Sequence, residues 1–220
     1  MKEITLKNKK VYNIPNNWSE LAMGKYIKIS SLVKKFEGID IDDKIFNEQI
    51  LPKIAEIILG VTEKELKQFT VVEYSQIREA LNFINEPLPK FIPKTQSVSN
   101  EFKIKMTDLN ELKFGTWSDV NHLMGLDPVG NLPMIFGMLV TIERIKPWYK
   151  FWSKTEEVKD DEYLDVINNL PMSEIFAINN FFLLTMMVLK QNILSSSAPA
   201  EMKVQVMKQF SLMDGLTTFG

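Results

Sequence analysis

Cysteine is absent from the 220 residues, which excludes disulfides, thiolate nucleophiles and thiolate metal sites together. One histidine, His122, leaves most zinc sites and Ser-His pairs without the residues they need. Charge of one sign is also missing: the net charge is −2 with 25% charged residues, so no overall field drives sequence-independent nucleic-acid binding. No Walker loop, dinucleotide-binding glycine pattern or nucleophile elbow occurs. The most apolar run, Ile175 to Leu189, carries Asn179 and Asn180 in its middle and is shorter than the ~20 residues of a bilayer span. It reads as a buried helix, with membrane insertion disfavoured. Met1-Lys-Glu-Ile-Thr-Leu-Lys7 is too polar for an apolar targeting core, so the protein is expected to work where it is made. These absences argue against an enzyme: no catalytic residue, metal ligand or cofactor is assigned.

What the chain does have is an internal likeness. Ser19-Glu-Leu-Ala-Met-Gly-Lys-Tyr-Ile-Lys-Ile29 and Asn110-Glu-Leu-Lys-Phe-Gly-Thr-Trp-Ser-Asp-Val120 match at one fixed offset, pairing Glu20 with Glu111, Leu21 with Leu112, Gly24 with Gly115, Tyr26 with Trp117 and Ile29 with Val120. Ser19 and Asn110 are good N-cap types, and the glutamates suit a positive helix end. Leu21, Tyr26 and Ile29, like their counterparts, gather on one helical face. Gly24 and Gly115 mark either the entry of the turn into the helix or a close backbone approach. Trp18, ahead of the first cap, suits a hydrophobic staple, so Trp18, Gly24, Tyr26, Gly115 and Trp117 are taken as structural anchors.

Along the first half, Glu3–Leu6 and Val11–Ile14 read as a hairpin, and a helix is predicted from Ser19 to Phe36. Asp40, Asp42 and Asp43 resemble the start of a calcium loop, but Lys44 and a missing glycine leave a capped turn as the simpler reading. A helix over Ile45–Leu59 contains Pro52, so a kink or break near Leu51 is expected, with Gly60 as its stop. Thr62-Glu-Lys-Glu65 is a capping box, and Val72–Ile84 a further helix burying Val72, Ile77, Ala80, Leu81 and Ile84. Pro87, Pro89, Pro93 and the polar stretch to Asn100 read as a connector.

The second half repeats this order. Glu101–Met106 is extended, a helix runs from Asn110 to Met124, and Leu132-Pro133 precedes an apolar helix Met134–Ile145. Asp160, Asp161 and Glu162 look like a helix start rather than a metal cluster, and Pro171-Met-Ser-Glu174 opens a last helix to about Leu194, matching Val71-Val-Glu73 onward. The sequence thus predicts a mainly α fold of two tandem repeats, each of short strands plus three helices packed together, with an N-terminal β-hairpin and a C-terminal amphipathic tail. The boundaries are 1–95, 96–195 and 196–220. His122 is expected to be a lone, partly buried histidine rather than a base.

Two segments are candidates for interaction. Lys146-Pro-Trp-Tyr-Lys-Phe-Trp-Ser-Lys154 alternates Trp148, Tyr149, Phe151 and Trp152 with lysines, a composition that suits packing on the body, a partner surface, or nucleic acid or lipid. The acidic residues Glu156 to Glu162 cancel its field. The tail Glu201–Met213 carries Val204, Met207 and Phe210 on one face, for its own domain or a partner.

At Trp18–Tyr26 and Asn110–Val120, together with Pro133–Ile145 and Phe181-Phe-Leu-Leu184, the chain resembles a family in tailed phages of gut Bacteroidota, including the crAss-like phages. The family shares a lysine-rich extended start, an Ile-Pro … Leu … Tyr first helix, a central Leu-x-Phe-x-x-Trp/Phe segment and a late double-aromatic helix. Gly115 stands where the family carries an acidic residue. The resemblance implies a non-catalytic virion-associated protein, structural or cargo, that contacts other phage structural proteins or itself. It would reside in the host cytoplasm during assembly and then in the particle. Alternatives are a tail-assembly chaperone missing from the finished particle and a DNA-binding factor using Lys146–Lys154, although nucleic acid and membrane are both disfavoured as partners.

Overall fold

The computed structural model describes residues 1–5, 10–40, 42–98, 101–108, 111–127, 129–145 and 155–182. The chain is mostly helical and divides into two units, Met1–Pro89 and Lys90–Gly220.

In the first unit, strands β1 (Lys2–Thr5) and β2 (Val11–Ile14) pair antiparallel with Ile4 opposite Tyr12. Their alternation buries Ile4, Tyr12 and Ile14 on one face, as the two-residue period of a strand requires. The chain then makes a 3-10 turn, Trp18–Glu20, capped by Asn17, whose side chain accepts the Glu20 N–H at 3.2 Å. Ser19 is therefore not the cap. Leu21 and Ala22 are extended, and the first α-helix, α1, runs Met23–Lys34 with no side-chain cap at Ala22. The interruption lets Leu21 and Met23 both enter the core, fully buried, while Tyr26 and Ile29 follow on the helical face.

Asp42 accepts the Ile45 N–H at 2.7 Å through its carboxylate and so opens the short helix α2 (Asp43–Ile45) as a capped turn. A π-helical turn, Phe46–Ile50, follows and passes directly into α3 (Leu51–Leu59). The Leu51 N–H reaches back to the Phe46 carbonyl, one residue further than in an α-helix. Pro52, which has no N–H, sits in the first turn of α3, so the widened turn and the proline share one break in the helical ladder. Gly60 stops α3 in the left-handed region at φ 66°. Lys25 reaches the same helix end and donates its ammonium to the Ile58 carbonyl at 2.7 Å.

Helix α4 (Glu63–Leu66) starts in a complete capping box of Thr62 and Glu65, and α5 (Val71–Ala80) starts in a second one, Thr70 with Glu73. The second box fixes the start at Val71 and leaves Val71 and Val72 in an exposed first turn, 87% and 66% accessible, which corrects the burial expected for Val72. Ile77, Ala80 and Leu81 are buried as the helical period requires, and a 3-10 turn, Leu81–Asn85, adds Phe83.

The second unit holds a four-stranded antiparallel sheet in the order β3-β4-β5-β6, formed by Gln96–Val98, Phe102–Met106, Val140–Ile145 and Thr155–Glu157. Two expectations change here. The polar stretch before Asn100 is not all connector, because β3 pairs with β4 and the Met106 N–H donates to the Thr95 carbonyl at 2.9 Å. The apolar helix expected over Met134–Ile145 is α7, Leu132–Leu139, and it ends where β5 begins. Val140, Thr141, Ile142 and Ile145 are β-branched and alternate in burial, with Met106 opposite Val140 and Ile104 opposite Ile142, so the pleated surface wins over helical continuation.

Helix α6 (Phe114–Leu126) precedes α7, and α8 (Asp160–Asn169) follows the sheet. A last helix, α9, begins at 172 and is described to 182. Val120, Ile135, Ile142, Ile167, Met172, Ile175, Ile178 and Phe182 make the core of this unit. Residues 183–194 of the expected long helix, and the tail 196–220, lie outside the described residues.

Candidate functional site

The π-helical turn and the end of α5 bound a cleft in the first unit. Its volume is about 300 Å³, and it is lined by Phe46, Asn47 and Leu51 from one side and by Arg78, Leu81, Asn82 and Asn85 from the other. Leu51 and Leu81 are buried and form an apolar floor. Around them stand three carboxamides and one guanidinium.

Local sequence explains the placement. The π turn adds a residue to the helical ladder, which carries Phe46 and Asn47 out of the register that a continuous helix would impose. In the 3-10 turn, residues three apart eclipse, and Asn82 and Asn85 stand at that spacing, with Asn85 Nδ2 donating to Asn82 Oδ1 at 3.3 Å. Asn82 keeps its Nδ2 donors and Asn85 its Oδ1 acceptor beyond that bond. Arg78, one turn before Asn82 on α5, is exposed and makes no ion pair among the described residues. Glu79, next to it in the chain, faces Lys2 at 3.9 Å. What the cleft can do chemically is hold a partner through hydrogen bonds and one fixed positive charge.

The anchors singled out from sequence, Trp18, Gly24, Tyr26, Gly115 and Trp117, do not line this cleft. Trp18 is buried, its Nε1 donates to the Glu86 carbonyl at 2.8 Å, and its ring meets those of Tyr26 and Phe83 edge-on at 6.2 and 5.5 Å. Tyr26 is buried, which pushes its hydroxyl pKa above the usual value. Trp117 is half-buried and its ring lies 6.3 Å from that of Phe182. Gly24 and Gly115 are each the second residue of a helix, α1 and α6, and a Cβ on Gly115 would meet nothing within 4 Å, so no backbone crowds it.

His122 is exposed on α6, not partly buried, because it falls outside the stripe of Val120 and Met124. Asp42 caps the turn described above, and the described residues hold no group of three or more His, Asp or Glu side chains placed to hold a metal ion. Trp148, Tyr149, Phe151, Trp152, Met207 and Phe210 lie outside the described residues, as do Ser19's counterpart Asn110 and the rest of Lys146–Lys154. Among the described residues no helix is long and apolar enough to cross a membrane.

No protein-family model, curated protein or solved structure matches this chain.

Sequence reading missed the cleft because its two walls lie about 30 residues apart in the chain and neither is a motif. The one local signal was Pro52, which marked the break in the helix but not the side chains the break would present.

Proposed function

We propose that this chain is a non-catalytic, virion-associated protein of a tailed phage, structural or cargo, that works by contacts with other particle proteins. The resemblance at Trp18–Tyr26, Asn110–Val120, Pro133–Ile145 and Phe181–Leu184 supports the phage setting. One structural observation supports the mode of action: the cleft's polar lining is made of carboxamides and a guanidinium, groups that can hold a protein partner by hydrogen bonds and charge. Quantitative mass spectrometry of purified particles tests the reading. A fixed copy number per particle supports it, and absence from particles with abundance in infected cells assigns the chain to assembly instead.

The finer proposal about architecture is that the two units are copies of one ancestral helical unit. Each unit runs from an antiparallel strand pair into helices, and the helices begin at paired positions: Met23 and Phe114, Leu51 and Leu132, Val71 and 172. Proline is in the first turn of both α3 and α7. Within the first unit α3 packs on α1 and α4, and within the second α7 packs on α6 and α8. On this reading β5 and β6 are an insertion between α7 and α8.

A further inference from the structure

The cleft beside the π turn deepens the proposed function, and this inference rests on the reading that the chain works by holding a protein partner. Its chemistry narrows the ligand. Asn82 and Asn85 offer donor and acceptor together, which complements a peptide group, whose N–H and C=O ask for both. The single cation, Arg78, presents a planar fork suited to a carboxylate. A nucleic acid calls for several cations along its backbone and stacking platforms, and here there is one guanidinium and one half-buried ring, Phe46. A volume of about 300 Å³ has room for a side chain with its flanking peptide groups.

We infer that the cleft binds an extended, acidic peptide segment of a partner protein, with one carboxylate on Arg78 and the neighbouring peptide groups on Asn82 and Asn85. Leu51 and Leu81 carry the aliphatic part of the bound side chain. The Asn85-to-Asn82 hydrogen bond uses one amide group of each residue and leaves a donor on Asn82 and an acceptor on Asn85 for the peptide.

The test titrates the ¹⁵N-labelled full chain with a blocked tripeptide bearing a central glutamate, and separately with the same tripeptide bearing glutamine. The glutamate peptide is expected to shift the side-chain amide signals of Asn82 and Asn85 saturably and to bind about tenfold more tightly than the glutamine peptide, as one charge-assisted pair provides. Arg78→Gln should abolish that preference while leaving the melting temperature unchanged, because Arg78 is exposed. Arg78→Lys, which keeps the charge and loses the fork, should retain only part of it. Equal binding of the two peptides, shifts that spare Asn82 and Asn85, or stronger binding of adenosine monophosphate or inorganic phosphate than of the glutamate peptide would overturn the inference. Loss of the phage reading would leave this outcome untouched, since no particle is needed to read it.

Discussion

The indole of Trp18 donates to the carbonyl of Glu86 at 2.8 Å, tying the turn after the first hairpin to the end of the first unit across 68 positions of chain. The ring is also the hub of an edge-on aromatic group with Tyr26 and Phe83. Two variants separate these roles. Trp18→Phe keeps most of the packing and loses the hydrogen bond, at an expected cost of about 1 kcal/mol, because Glu86 is exposed and water can take the carbonyl. Trp18→Ala removes the ring and should cost about 3–5 kcal/mol in denaturant unfolding. Equal costs for the two would mean that the bond, not the ring, holds this corner.

In the proposed alignment of the two units Glu73 of α5 corresponds to Glu174 of α9, and the two carboxylates have opposite fortunes. The Glu73 carboxylate accepts the Thr70 N–H at 2.8 Å and the Thr70 hydroxyl at 2.7 Å. Where the first unit has Thr70 the second has Pro171, which offers neither group, and Oε2 of Glu174 is buried with no hydrogen-bond partner. Glu73→Ala is expected to destabilise by about 1–2 kcal/mol, whereas Glu174→Ala should be near neutral or stabilising. Thermal melts of the two variants decide it, and a larger loss at Glu174 would contradict the pairing of roles.

Glycine to alanine should have opposite signs at two helical positions. At Gly115 in α6 the added methyl meets open space, so the gain in helix propensity stands alone and Gly115→Ala should stabilise by about 0.5–1 kcal/mol. At Gly137 in α7 the methyl would lie 3.1 Å from Cε1 of Tyr163. That ring is tethered, since its hydroxyl donates to the Val140 carbonyl at 2.7 Å, so Gly137→Ala should destabilise by about 1–2 kcal/mol despite the better propensity. Differential scanning calorimetry reads both signs.

Tyr163 also sets an alkaline limit. Burial first, and the Glu157 carboxylate second, push its hydroxyl pKa well above the ordinary value of 10.0. Above pH 10 the unfolded chain therefore releases a proton that the folded chain keeps, so stability falls as pH rises through that range. Tyr163→Phe should flatten the fall. At the acid end, Lys67 and Lys53 hold the Glu63 carboxyl at about 2, so its contribution is present above the ordinary carboxylate range and fades as pH drops toward 2. An unfolding series from pH 2 to 11 on the parent and on Tyr163→Phe checks both slopes.

Local chemistry made part of this fold legible in the sequence. The hairpin, the Thr62 capping box, the Gly60 stop and the break near Pro52 each follow from a residue type whose backbone preference leaves few choices. Three features escaped for different reasons. The sheet in the second unit was hidden because Val140–Ile145 continues an apolar helix without a breaker, and only its β-branched alternation, stabilised by pairing with β4, separates the two periods. Thr70 was overlooked as a cap because Val71 and Val72 look like the interior of a helix until Glu73 is matched to it. The cleft depends on tertiary approach of the π turn to the end of α5, and no window of sequence contains it.

In the proposed role this chain acts by being held against other proteins of a phage particle. Crosslinking with mass spectrometry on intact purified particles measures that directly. Reproducible crosslinks from this chain to at least one other particle protein are expected, and those near Arg78 should be reduced by the glutamate peptide. Particles that lack the chain, or that contain it crosslinked to nucleic acid alone, would contradict it.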